Sequence, residues 1–141
     1  IWSLYLNASI PCFDYSFKRF LKTILMPNII ALTALLEKGQ DSALLRFGLA
    51  SAYLKEQPDN HLVQAKQHLK RCLELDPTYT AAYQQLAQVQ TDSEDLTGAI
   101  ETLRFGIASA ESAGDLQAQR VMQVFQKRLG KRLELGLPGQ S

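Results

Sequence analysis

Two cysteines in 141 residues are too few for a disulfide framework, and Cys12 and Cys72 lack C-x-x-C spacing. That suits a reducing compartment, and the cytoplasm is the expected location. Long apolar runs are missing as well. No stretch reaches the ~18 uninterrupted apolar residues of a spanning helix, so no membrane span is expected. Charge of one sign is not in excess. The net charge of +1 sets up no global field toward nucleic acid or a lipid surface. The patterns G-x-x-x-x-G-K-[ST], G-x-S-x-G and H-E-x-x-H are absent. The aspartates Asp59, Asp76, Asp95 and Asp115 fall where capping or turn chemistry accounts for them. Neither an enzyme nor a cofactor is expected. Strand-type alternation is scarce, which leaves helices.

A hydrophobic content of 46% and a charged content of 21% fit a soluble globular chain, most simply one domain with a sizeable core. The chain opens on Ile1, and residues 1–25 hold half of all aromatics: Trp2, Tyr5, Phe13, Tyr15, Phe17 and Phe20. Lys18, Arg19 and Lys22 follow the apolar stretch, the reverse of a secretory signal. Met26 is the expected natural start and residues 1–25 an extension. The competing reading is a docking helix with Phe13, Phe17, Phe20, Leu21 and Ile24 on one face.

From residue 27 the chain is punctuated into helices. Pro27 suits a first helical turn, and Gly39 a stop. A second helix is expected from Ser42 to Glu56, ended by Pro58, Asp59 and Asn60. A third carries Leu62, Ala65, Leu69, Cys72 and Leu73 and closes at Asp76-Pro77, because the residue before proline is pushed out of helical geometry. A fourth begins near Thr80, with residues 91–95 as its turn. A fifth carries Leu96, Ala99, Ile100, Leu103 and Ile107. After Gly114-Asp115 a last helix runs to about Glu134. In it Ala118, Met122, Phe125, Leu129 and Leu133 are expected to be buried, and Arg120, Lys127, Arg128, Lys131 and Arg132 to be solvated.

Self-comparison adds a period. A shift of 34 residues sets Leu62 on Leu96, Ala65 on Ala99, Leu69 on Leu103, Cys72 on Gly106 and Leu73 on Ile107. Leu49-Ala50 matches Leu86-Ala87 at a spacing of 37, leaving three extra residues in the turn around Pro58.

These residues resemble the tetratricopeptide repeat family. The first copy spans about 43–79 (Leu49, Ala50, Tyr53, Ala65, Leu69, Cys72, Pro77), and the second about 80–113 (Tyr83, Leu86, Ala87, Ala99, Leu103, Gly106). Three positions depart from the pattern: Arg46 at the bulky opening position, Gln90 for tyrosine and Glu111 for proline. The resemblance implies an all-α fold, a right-handed superhelix of helical hairpins with about six helices. The helices at 27–38 and 116–134 then cap a single domain over 26–134, and 135–141 form a tail. Each hairpin has two apolar faces and buries them only by stacking on neighbours.

His61, His68 and Cys72 share nearly one helix face, but Cys72 fills the small packing position and the histidines fall at a helix start and on a solvated face. No metal is expected. The run Lys127, Arg128, Lys131, Arg132 reads as a solvated face near a helix C-terminus rather than a nucleic-acid site.

What remains is the concave groove the resemblance implies. Its candidate partner-binding residues are Leu44, Phe47, Ser51 and Leu54 from the first copy, and Ala81, Gln84, Gln88 and Thr91 from the second. The family's carboxylate clamp needs Lys and Asn where this chain has Phe47, Ser51, Gln84 and Gln85, so chaperone tails are not the expected ligand. The expected function is a protein–protein interaction module, an adaptor or scaffold binding a peptide or partner helix. The alternative is a self-associating assembly factor or export-type chaperone.

Overall fold

The computed structural model describes residues 27–136. The expected start at Met26, the docking-helix reading of residues 1–25 and most of the tail lie outside the described residues. Those described are all-helical, with six helices and no strand: α1 (Pro27–Glu37), α2 (Ala43–Glu56), α3 (His61–Leu75), α4 (Thr80–Asp92), α5 (Leu96–Ala113) and α6 (Leu116–Glu134). None is long and apolar enough to cross a membrane.

Helix ends follow from side-chain chemistry. Ser42 caps α2 by accepting from the Leu45 N–H at 3.2 Å, and Asp95 caps α5 by accepting from Gly98 at 3.0 Å. Asp115 caps α6 by accepting from Ala118 at 3.0 Å. Each satisfies one of the donors that a helix start leaves unpaired. The turn after α2 is closed by two left-handed residues, Gln57 (φ 48°) and Asn60 (φ 63°). Glu111 does not stop α5. The helix runs on to Ala113 and ends at Gly114, whose φ of 72° glycine adopts without penalty.

The joint between the two hairpins is tightly tied. Asp76 Oδ1 accepts from both the N–H (3.0 Å) and the hydroxyl (2.6 Å) of Thr78, which holds its carboxyl below the usual carboxylate range. The Pro77 carbonyl accepts from the Tyr83 hydroxyl on α4 (3.0 Å) and from the Ser109 hydroxyl on α5 (3.1 Å). A proline that ends one hairpin is therefore anchored to both helices of the next.

Each helix packs chiefly on its neighbours in the chain, and α4 also meets α6. Two core clusters result. The first gathers Ala50, Ala65, Leu69, Cys72, Ala82, Leu86 and Val89, and the second Ala87, Ala99, Leu103, Ala110, Ala118, Met122 and Leu129. Helix α4 supplies both, through Ala82, Leu86 and Val89 on one side and Ala87 on the other. Gln90 stands among these apolar residues 6% exposed, and its Oε1 accepts from the Thr102 hydroxyl at 2.7 Å. A buried amide is tolerated there because α5 supplies the donor.

Helix α6 departs from its expected burial. Ala118, Met122 and Leu129 are buried and Phe125 half-buried, but Leu133 is exposed and Arg132 half-buried instead. Steps of four, three and four lead from 118 to 129, and a further step of three keeps the buried stripe on one side, at 132 rather than 133. Arg132 lays its stem along that side and brings its guanidinium 3.7 Å from Glu94.

Candidate functional site

The eight sequence candidates separate on folding. Phe47 and Leu54 are half-buried against the first cluster, and the Phe47 ring lies 4.9 Å from that of Tyr79. Leu44 is 70% exposed and Ala81 exposed. Ser51 is half-buried, and its Oγ accepts from Gln85 Nε2 at 3.1 Å, a bridge between α2 and α4. Thr91 sits not in a turn but in the last turn of α4, buried, with its hydroxyl donating to the Ala87 carbonyl at 2.7 Å. Gln84 is half-buried. Gln88 is exposed and donates to Asp92 at 2.8 Å.

Three of the eight, Gln84, Gln88 and Thr91, come together in a groove between α4 and α6. One lobe, of about 510 Å³, lies between Gln84 and Gln88 on α4 and Arg120, Val121, Val124, Phe125 and Arg128 on α6. A second, of about 550 Å³, shares Gln88, Phe125 and Arg128. It continues past Thr91 and Asp92 to Leu129, Arg132, Glu94 and the α3 residues His61 and Leu62. The floor is apolar and remains open: Val121 is 51% and Val124 54% exposed. Two valines left bare on one helix face, flanked by amide and guanidinium donors, are suited to holding apolar side chains and polar backbone together.

The α6 wall was legible in the sequence, at a different spacing. A shift of 36 residues carries Ala82 to Ala118 and Leu86 to Met122, all four buried. The same shift carries Gln84 to Arg120 and Gln88 to Val124. Helix α6 thus repeats the first helix of a hairpin, and it forms a wall of the groove.

The candidate metal trio does not assemble. Among the described residues no three His, Cys, Asp or Glu side chains group as metal ligands. Cys72 is fully buried in the first cluster, and burial raises its thiol pKa. His68 is not on a solvated face. It stacks on Tyr53 with ring centroids 5.6 Å apart, and its Nδ1 lies 3.2 Å from Arg46 Nη1. A guanidinium only donates, so Nδ1 accepts and Nε2 carries the proton. Arg46 in turn grips Asp41 with two bonds, 2.7 and 2.9 Å, which with Arg71 hold that carboxyl down at about 2. The arginine at the bulky opening position of the repeat is therefore a clasp between α2, its preceding loop and α3.

A pH dependence follows. Burial first, then the Arg46 charge, push His68 below its ordinary 6.5, with Asp41 opposing. The unfolded imidazole takes up its proton near 6.5 and the folded one only at lower pH. Stability is therefore full above about pH 6.5 and falls as the pH drops through the folded value. The loss in melting temperature between pH 7 and pH 5 should be visibly smaller in His68→Gln than in the wild type. Equal slopes would show that His68 carries no part of it.

No family model matches the chain. Similar proteins include TPR repeat-containing protein PA0015 of Pseudomonas aeruginosa, 40% identical over 103 residues, which cover 73% of this chain and 95% of that one. Among solved structures, the solution structure of protein BPP2914 from Bordetella parapertussis matches with a TM-score of 0.64 and 33% identity. The match covers 79% of this chain and 96% of that one.

Proposed function

Since the chain belongs to the tetratricopeptide repeat family, we propose that it is a protein-interaction module whose binding surface is the groove between α4 and α6. On this reading it does no chemistry of its own and acts as an adaptor for a segment of another protein. The observation that carries the reading is the groove floor. Val121 and Val124 lie bare beside Gln84 and Gln88, on the side of the stack where first helices of successive hairpins meet. An extended or helical segment would bury aliphatic side chains on the valines and take backbone hydrogen bonds from the amides. Leu44, Phe47, Ser51, Leu54 and Ala81 belong to the same face as a proposal. In it the Phe47 ring and the Ser51–Gln85 bridge shape the groove rather than touch the partner.

Val124→Asp tests this. A carboxylate on an exposed position leaves the melting temperature within about 2 °C of wild type, since surface substitutions cost little. It should lower partner affinity at least tenfold by setting a charge against the partner's apolar side chains. A photocrosslinker at Val124 should trap the partner, whereas one at Glu101, exposed on α5, should not. Equal trapping from both positions, or undiminished affinity in Val124→Asp, would remove the groove assignment.

A further inference from the structure

Helix α6 concentrates positive charge in a chain whose net charge is only +1. It carries Arg120, Lys127, Arg128, Lys131 and Arg132 against one acid, Glu134. Three of these cations line the groove. Arg120 and Arg128 rim the lobe between Gln84 and Val124, and no carboxylate is among its lining residues. Neither arginine makes a hydrogen bond or ion pair with any described residue. Next along the same row stands Arg132, whose Nε and one Nη are buried with no hydrogen-bond acceptor. Its Glu94 partner, at 3.7 Å, is beyond hydrogen-bond length. Acids are present only at this second lobe, where Asp92 is already taken by Gln88 and Glu94 by Arg132.

Guanidinium groups in these surroundings have a chemical preference. Each offers several fixed donors and no acceptor, and its best match is a carboxylate taken with two bonds. Arg120 and Arg128 stand on one helix, about 12 Å apart along its axis, with Arg132 about 6 Å further on. Val124 lies between the first two. An occupant that satisfies this row carries carboxylates with aliphatic side chains between them. A basic segment would meet three like charges, and a purely apolar one would leave the arginines to shed water without recompense.

We propose that the groove selects an acidic, aliphatic protein segment, with carboxylates held by Arg120 and Arg128 and aliphatic side chains seated on Val121 and Val124. This deepens the groove reading and rests on it. The floor makes the occupant a polypeptide rather than a generic polyanion. The valines offer nothing to a phosphate chain, and Phe125, the one ring among the residues lining the lobe of Arg120 and Arg128, is half-buried in the second cluster rather than free to stack on bases.

The test is a selection from a random dodecapeptide library displayed on phage, at physiological salt, against the full chain. Two variants run beside it: Val124→Asp, and the double variant Arg120→Gln with Arg128→Gln. Both arginines are exposed and unpaired, so the double variant folds as the wild type does. Enriched peptides should carry two or more Asp or Glu with Leu, Ile or Val between them. The double variant should bind them at least tenfold more weakly. Replacing their acids by Gln or Asn should cost the wild type the same factor and the double variant nothing further. Enrichment of neutral or basic peptides, or acidic peptides bound equally by the double variant, overturns the proposal while leaving the groove in place. So does competition by a thymidine dodecamer as strong as that by the peptide itself. Peptides retained undiminished by Val124→Asp, or no enrichment at all, overturn the groove reading and this proposal together.

Discussion

Gly106→Ala should destabilise the protein by roughly 2 kcal/mol, although helix propensity alone predicts a gain of about 1 kcal/mol for replacing glycine inside a helix. The sign is decided by where the new methyl group points. A Cβ on Gly106 would lie 2.6 Å from Met122 Sδ and 2.7 Å from Tyr83 Cβ. The methionine sulfur is the far part of a flexible side chain and can swing away. Tyr83 Cβ cannot, because it is fixed to the α4 backbone, so α4 and α5 must separate. Overpacking of this kind costs about 1–3 kcal/mol before any repair of the contacts pulled apart. Gly130→Ala in α6 is the control: nothing lies within 4 Å of its new methyl, and it should be stabilising. Urea denaturation of both variants checks the pair. A Gly106→Ala midpoint at or above wild type would show that the helices do not meet at this glycine.

Leu69→Ala should cost about 3 kcal/mol, with a fall in melting temperature of roughly 10–20 °C for a domain of this size. Leu69 is fully buried in the first cluster, and four of that cluster's seven buried members are small: Ala50, Ala65, Cys72 and Ala82. These small members bring backbones close and have no side chain long enough to collapse into the space a leucine vacates. The cavity therefore stays largely open. Unfolding followed by circular dichroism should remain a single transition, because a lone hairpin cannot bury its own apolar faces. A loss under about 1 kcal/mol would mean that the cluster is loose around Leu69.

Glycine, proline and acidic punctuation made the helices readable from the sequence, since those residues act locally. Ser42, Asp95, Asp115 and Gly114 mark helix ends by bonds or torsions spanning only a few residues. What sequence reasoning missed depends on residues far apart in the chain. Arg46 looks misplaced until Asp41 and His68 close around it, and Gln90 until Thr102 reaches it. Phe47 and Leu54 are apolar residues that would suit a pocket or a core equally, and only packing against Tyr79 and the first cluster decides. The α6 half of the groove escaped because turn lengths vary along the stack. First helices follow one another at 37 and then 36 residues while second helices keep 34, so one fixed period loses the third first helix.

The sharing of α4 between the two clusters has a consequence for how the molecule would register an occupant. The groove is walled by the opposite side of the same helix that both clusters hold in place. A segment bound along Gln84 and Gln88 thus adds its free energy to the one element whose departure would open both halves. By linkage, that energy appears as stability of the whole domain, about 2.7 kcal/mol at a hundredfold excess over the dissociation constant. Amide hydrogens should accordingly slow their exchange in α3 and α5 as well as at the contact, with no movement of either helix. A bound partner would be felt throughout the chain as a longer lifetime of its shape, not as a change in it.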